Sequence, residues 1–237
     1  MSRQAYRQHV RIYVLKYLPC VLLLLFFLIS FSSMLKKSIT VDEFTQLPAG
    51  YSYLKTKTSH LSNTNPPLIK LIAAMPLLVK NIDFLVSDSF NRGDQWGYGY
   101  DFMAYHKDIY REIFLYARIL IIFFGMLGGI FVFLWAKDLY GYTPALFALF
   151  LYSFSPNIIA HSRLVTTDIG ATTFMIVALF LFHKWFQRRT WKRTFFSGLF
   201  LGIAQISKFS SLTLYIIILL FSIVSCARNR WEKKDVV

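Results

Sequence analysis

The sequence predicts an all-α integral membrane fold: about six transmembrane helices and a long first outer loop that carries interfacial helices. Three observations predict it. Of the 237 residues, 56% are hydrophobic and only 16% are charged, which is too apolar for an ordinary soluble domain. Apolar runs recur along the chain at close to membrane-spanning length. The 26 Lys and Arg, which leave a formal charge of +14, cluster between those runs, as cations do when they hold loops on the cytoplasmic side of a bilayer. Nucleic acid would need these cations on one soluble face, and their placement excludes that partner.

Residues 1–237 read as a single membrane domain. The first span, 18–34, follows Arg3, Arg7, Arg11 and Lys16, an order that imitates a secretory signal. No small-residue cleavage site follows it, and Lys36 and Lys37 close the run, so a retained signal anchor is expected. An outer loop, 36–112, comes next. Within it Pro66-Pro67 precedes an apolar stretch, 68–86, interrupted by Lys70, Lys80 and Asp83. That stretch is too charged to span, so it is read as an interfacial helix with Asn65 as its cap. Trp96-Gly97-Tyr98-Gly99-Tyr100 reads as a mobile aromatic turn at the headgroup layer. The further spans are 113–136, 143–160, 165–185, 194–207 and 210–227. The fifth, 194–207, is short enough to admit a re-entrant loop instead. Cys20 and Cys226 lie in apolar runs and read as small buried hydrophobes.

With the amino terminus inside, the inner segments hold 14 of the 26 Lys and Arg but only three of the 12 acids, Asp138, Glu232 and Asp235. That asymmetry predicts cytoplasmic termini and sets Asp42, Glu43 and Asp168 at the outer face. A carboxylate at a water boundary can deprotonate an incoming hydroxyl, although adjacent acids such as Asp42 and Glu43 also occur as plain solvated pairs. Arg118 sits inside an apolar helix, where a cation needs a partner; a phosphate and an internal carboxylate are equally open. Asp168 stands at the start of a helix that Thr166 or Thr167 can cap, so the helix dipole alone accounts for it, beside a role as a second site carboxylate. Snorkelling accounts for Lys208, with contact to an anionic lipid as the alternative. His9, His60 and His183 show no metal-ligand spacing.

Several segments, in order, resemble the dolichyl/polyprenyl-phosphate mannose:protein mannosyltransferases and their lipid A aminoarabinose-transferase relatives. They are Val41-Asp42-Glu43-Phe44, Ala49-Gly50-Tyr51-Ser52-Tyr53-Leu54, Asn65-Pro66-Pro67-Leu68-Ile69-Lys70-Leu71 and Pro76-Leu77-Leu78. The series continues with Trp96 to Phe102, Ala117-Arg118, Leu139-Tyr140-Gly141, and Ser155-Pro156-Asn157 through Asp168. The resemblance implies a membrane glycosyltransferase of the GT-C type. It would move mannose or a related hexose or pentose, with inversion, from a polyprenyl-phosphate donor to a protein, lipid or glycan acceptor on the extracytoplasmic face. The membrane would be the plasma membrane if the cell is bacterial.

Position by position, the resemblance implies that Asp42, with Glu43, is the catalytic acidic motif and Asp168 a second acidic site residue. Lys70, Arg118 and Arg163 would be the cations nearest the donor phosphate. It also admits a divalent metal cation, for which Asp42, Asp168 and His161 are the candidate ligands. Two departures stand out. Ser62-Asn63-Thr64-Asn65 replaces the acidic residue and histidine that usually precede the prolines, and the chain is expected to be the amino-terminal half of a longer enzyme. The alternative is a truncated, non-catalytic relative that binds the lipid carrier or pairs with a partner subunit. A transporter would favour inverted repeats with helices broken at mid-membrane, and the sequence shows neither.

Overall fold

A computed structural model describes residues 3–61 and 64–234. Ser62, Asn63 and Asp235, used in the sequence reading, lie outside the described residues, as does the Cys226 side chain. The described residues form helices α1 (Arg3–Leu35), α2 (Val41–Thr56), α3 (Leu68–Val79), α4 (Asp88–Asn91), α5 (Gln95–Tyr105) and α6 (Tyr110–Tyr140). They continue as α7 (Tyr142–Ser153), α8 (Pro156–Ser162), α9 (Asp168–Gln187), α10 (Trp191–Gln205) and, after a 3-10 turn at Phe209–Leu212, α11 (Thr213–Lys234).

Three of these are long and apolar enough to cross a membrane: α1 from Lys16, α6 and α9. The protein is therefore an integral membrane protein built from helices. A fourth crossing is available if α7 and α8 count as one span, but they meet at 61°. The straight helix expected over 143–160 is thus broken. Pro156 brings no N–H and pushes Ser155 out of the helical region, to φ −67° and ψ 118°. Helix α10 has 15 residues, about 23 Å, which is short of the ~30 Å hydrocarbon core.

The long α6 is the central post. Its face at Gly125 and Gly128 is bare, so that neighbouring helices approach closely: a Cβ at Gly128 would lie 2.5 Å from the Tyr152 hydroxyl. Tyr152 Oη donates to the Gly125 carbonyl at 2.7 Å, and Thr173 Oγ1 to that of Phe124 at 2.9 Å. These bonds tie α7 and α9 to α6 where lipid offers no competing partner.

The outer-loop segment is folded against this post. Phe44, Leu47 and Tyr51 of α2 and Ile69, Ala73 and Leu77 of α3 share one buried cluster with Phe114, Ala117 and Ile121 of α6. Three expectations change here. The helix after the two prolines begins at Leu68 with no side-chain cap, so Asn65 does not cap it, and it ends at Val79 rather than running to residue 86. The stretch 96–100 is helical, because Asp94 Oδ1 accepts from the N–H groups of Trp96 and Gly97 at 3.1 and 3.0 Å. Its glycines serve close packing rather than mobility, since a Cβ at Gly99 would stand 2.4 Å from the Phe44 ring. Cys20 is exposed on the outside of α1, facing the surroundings rather than the core.

Candidate functional site

Polar side chains collect at the two ends of the bundle. At one end Asp138 of α6 binds Lys184, lies 3.3 Å from His183 Nε2 and accepts from Gln187 at 3.3 Å, so the α6–α7 turn and the end of α9 are neighbours. The residues singled out by sequence lie at the other end.

There the chain from Met34 to Glu43 folds around the Arg118 guanidinium. Arg118 is 2% exposed and Glu43 fully buried. Nε donates to Glu43 Oε1 at 2.7 Å and Nη2 to Oε2 at 2.6 Å. Nη1 donates to the carbonyls of Met34 and Lys37 at 3.3 and 3.1 Å, and Nη2 also to that of Ser38 at 2.9 Å. All five guanidinium N–H groups are thereby used within the protein. Of the two partners open to Arg118 in the sequence, the internal carboxylate is the one the geometry realises.

Glu43 is equally occupied. Oε1 also accepts from the Val165 N–H at 2.9 Å, and Oε2 accepts from the N–H and hydroxyl of Thr40, both at 3.0 Å. The Thr40-x-x-Glu43 spacing is that of a capping box, a signal present in the sequence that would have given Glu43 a local structural role. Asp42, one residue earlier in the first turn of α2, turns the other way and is exposed. Sequence reasoning treated the two acids as a unit, and the fold separates them into a buried anchor and an accessible carboxylate.

The bond from Val165 brings the α8–α9 connection against α2. Arg163 ends α8, and its Nε is buried without a hydrogen-bond partner. Asp168 opens α9, with its carboxylate on Lys208 and 3.8 Å from His161 Nδ1. Lys208 thus meets an acid of the protein, where the sequence reading had it snorkelling. Neither Thr166 nor Thr167 gives α9 a side-chain cap.

Lys70 lies on α3, only 4% exposed, and burial lowers its ammonium to about 8. Helix α3 reaches the same region. The Leu68 N–H donates to the Ile206 carbonyl at 3.3 Å, and a Cβ on Gly170 would lie 2.5 Å from Ile69 Cδ1.

Asp42, Asp168 and His161, the candidate metal ligands, are not gathered into one ligand set among the described residues. Among the described residues no group of three or more His, Cys, Asp or Glu side chains could hold a metal ion. His161 and Asp168 meet, but Asp42 does not complete a triad with them, and Lys208 already neutralises Asp168.

Compared with known proteins, the chain matches the family model of dolichyl-phosphate-mannose-protein mannosyltransferases over residues 106–237. No curated protein and no solved structure matches it.

Proposed function

Because this chain belongs to the dolichyl-phosphate-mannose-protein mannosyltransferase family, we propose that it moves a sugar from a polyprenyl-phosphate donor to an acceptor hydroxyl, with Asp42 as the general base. The donor sugar is mannose or a related hexose or pentose, and the acceptor a protein, lipid or glycan. Transfer takes place at the extracytoplasmic face, with both termini of the chain on the cytoplasmic side. In this topology the segment Phe209–Ser225 also crosses, as does α10 where local thinning of the bilayer accommodates its shorter length, making six spans with α1, α6, the α7–α8 pair and α9.

The observation that supports this reading best is the division between Asp42 and Glu43. An exposed carboxylate stands on a segment that the Glu43–Arg118 pair holds still. Asp42 takes the proton from the acceptor hydroxyl as its oxygen attacks the anomeric carbon. The bond from that carbon to the phosphate oxygen breaks, and the lipid phosphate leaves with the electron pair. The product has the opposite anomeric configuration. Positive charge beside the leaving phosphate lowers the barrier. Arg163, with its unpartnered Nε, suits that role best of the three cations named by resemblance. Lys70, buried on α3, adds positive charge, and Arg118 acts by positioning Glu43 and α2. Asp168, held by Lys208, orients the acceptor.

The test uses the full chain in nanodiscs with radiolabelled polyprenyl-phosphate mannose and a hydroxyl-bearing acceptor. Asp42→Asn is expected to cut transfer by about 10²–10⁴-fold, the range for losing a general base, with an unchanged melting temperature. Undiminished transfer by this variant would remove Asp42 from the chemistry. A wild-type chain that binds donor without turnover would leave the lipid-binding or partner-dependent relative as the better reading.

A further inference from the structure

A cavity of about 370 Å³ opens between the end of α1, α5 and the start of α6. Lys36, Lys37, Ser38, Met103, Tyr110 and Arg111 line it, with the Arg118 guanidinium as part of its wall. We propose that this cavity seats the phosphate of a membrane lipid, in addition to the cations that the family resemblance names.

The charge balance motivates this assignment. Four cations and no acid line the cavity, and Glu43 compensates only Arg118. Lys36 and Lys37 have no ion pair among the described residues. Arg111 donates Nη2 to the Leu35 carbonyl at 2.8 Å, which fixes the side chain and leaves its other N–H groups available. Three like charges drawn together without a counterion repel one another, and an anion in their midst relieves that repulsion. The amino terminus of the 31-residue α6 adds to the field. Its cap position, Ile109, supplies no side-chain acceptor, although Glu112 in the first turn offsets part of that positive end, so the cavity's charge comes mainly from its Lys and Arg side chains.

The rim favours a lipid over a free anion. Leu35, Tyr105 and Ile109 are exposed beside the cavity, and Trp96 and Tyr100 are exposed on the preceding turns of α5. Apolar and aromatic side chains around a cationic pocket match the junction between acyl chains and headgroups. The position agrees, since Lys36 directly follows the apolar run Lys16–Leu35. Lys36 and Lys37, which sit on the side that the distribution of cations disfavours, thereby acquire a reason to be there.

The phosphate can come from the isoprenoid carrier or from a bulk phospholipid. The full chain in neutral-lipid nanodiscs would be titrated with farnesyl phosphate, a short-chain phosphatidic acid and inorganic phosphate, and bound ligand counted by native mass spectrometry. At least one lipid phosphate is expected to bind, and Lys36→Gln with Lys37→Gln to weaken it about tenfold or more, as the loss of two charge-assisted contacts implies. Lys36→Arg with Lys37→Arg should retain binding. Preference for farnesyl phosphate would assign the seat to the carrier, and preference for phosphatidic acid would assign it to the surrounding bilayer. Binding that the glutamines leave unchanged overturns the proposal. So does inorganic phosphate binding as tightly as the lipids, or an absence of binding by any of the three. None of these readouts depends on sugar transfer, so loss of the transferase reading would leave this result standing.

Discussion

Glu43 and Arg118, 75 residues apart in sequence, close a doubly hydrogen-bonded ion pair with the carboxylate wholly shielded from solvent. Removing one partner leaves the other charged and buried, which costs about 3–5 kcal/mol. Glu43→Gln is therefore expected to lower the melting temperature of the detergent-solubilised chain sharply. Arg118→Lys should do likewise, because three ammonium donors cannot replace five in a planar fork. Asp42→Asn, on an exposed neighbour, should leave melting nearly unchanged. Equal small shifts for all three would refute the anchoring role of the pair.

Lys70 gives stability a pH dependence with a defined sign. Burial holds its folded-state value near 8, against 10.5 for an ordinary lysine. Between pH 8 and pH 10 the unfolded chain binds the additional proton, so stability rises with pH in that window. The rise is at most about 1.4 kcal/mol per pH unit, the linkage limit for one proton. Burial raises the Tyr98 phenol above its usual 10.0, which opposes the trend only at higher pH. Chemical denaturation of wild type and Lys70→Met across this window measures the effect. The slope should vanish in the variant.

Two helical glycines should respond oppositely to alanine. A Cβ at Gly99 would fall 2.4 Å from the Phe44 ring and 2.6 Å from the Phe44 carbonyl oxygen, so α2 and α5 must separate. Overpacking of this kind costs about 1–3 kcal/mol. Gly198 on α10 has nothing within 4 Å of the same position, and alanine there should stabilise by about 0.4–1 kcal/mol. Thermal melts of Gly99→Ala and Gly198→Ala decide whether α5 is packed as described.

Arg118 and Asp138 lie on one helix, and their separation of 20 positions spans about 30 Å, the thickness of a hydrocarbon core. In the proposed topology they mark its two boundaries. Single cysteines at positions 42 and 138, in a background lacking Cys20 and Cys226, should label from opposite sides with a membrane-impermeant maleimide. Labelling of both from the same side would invert or discard the orientation.

The helical membrane class was legible because apolar runs and intervening cations are local properties of the sequence. So was the need of Arg118 for a partner, since a guanidinium inside an apolar helix cannot stay unpaired. The identity of that partner was not legible: it depends on α2 folding back across 75 residues. The Thr40-x-x-Glu43 spacing was a local clue that Glu43 is structurally engaged, but not that Arg118 is its partner. Helix α5 was misread because two glycines look like a turn until Asp94 is seen to cap it and Phe44 to fill the space beside Gly99. The bend between α7 and α8 was signalled by Ser155-Pro156, but apolar residues on both sides hid it within a continuous run.

Translation imposes an order on the members of the buried pair. Glu43 emerges first, Arg118 75 residues later, and Val165 only 122 residues after Glu43. In the proposed topology the guanidinium would leave the insertion machinery after a carboxylate on the same side of the membrane, which would offset the expense of placing a cation in an apolar helix during insertion itself. The loop after the first span would thus be a template on which later helices dock. A lesion at Glu43 would then be a defect of biogenesis, failing at the entry of α6, before it is a defect of the finished protein.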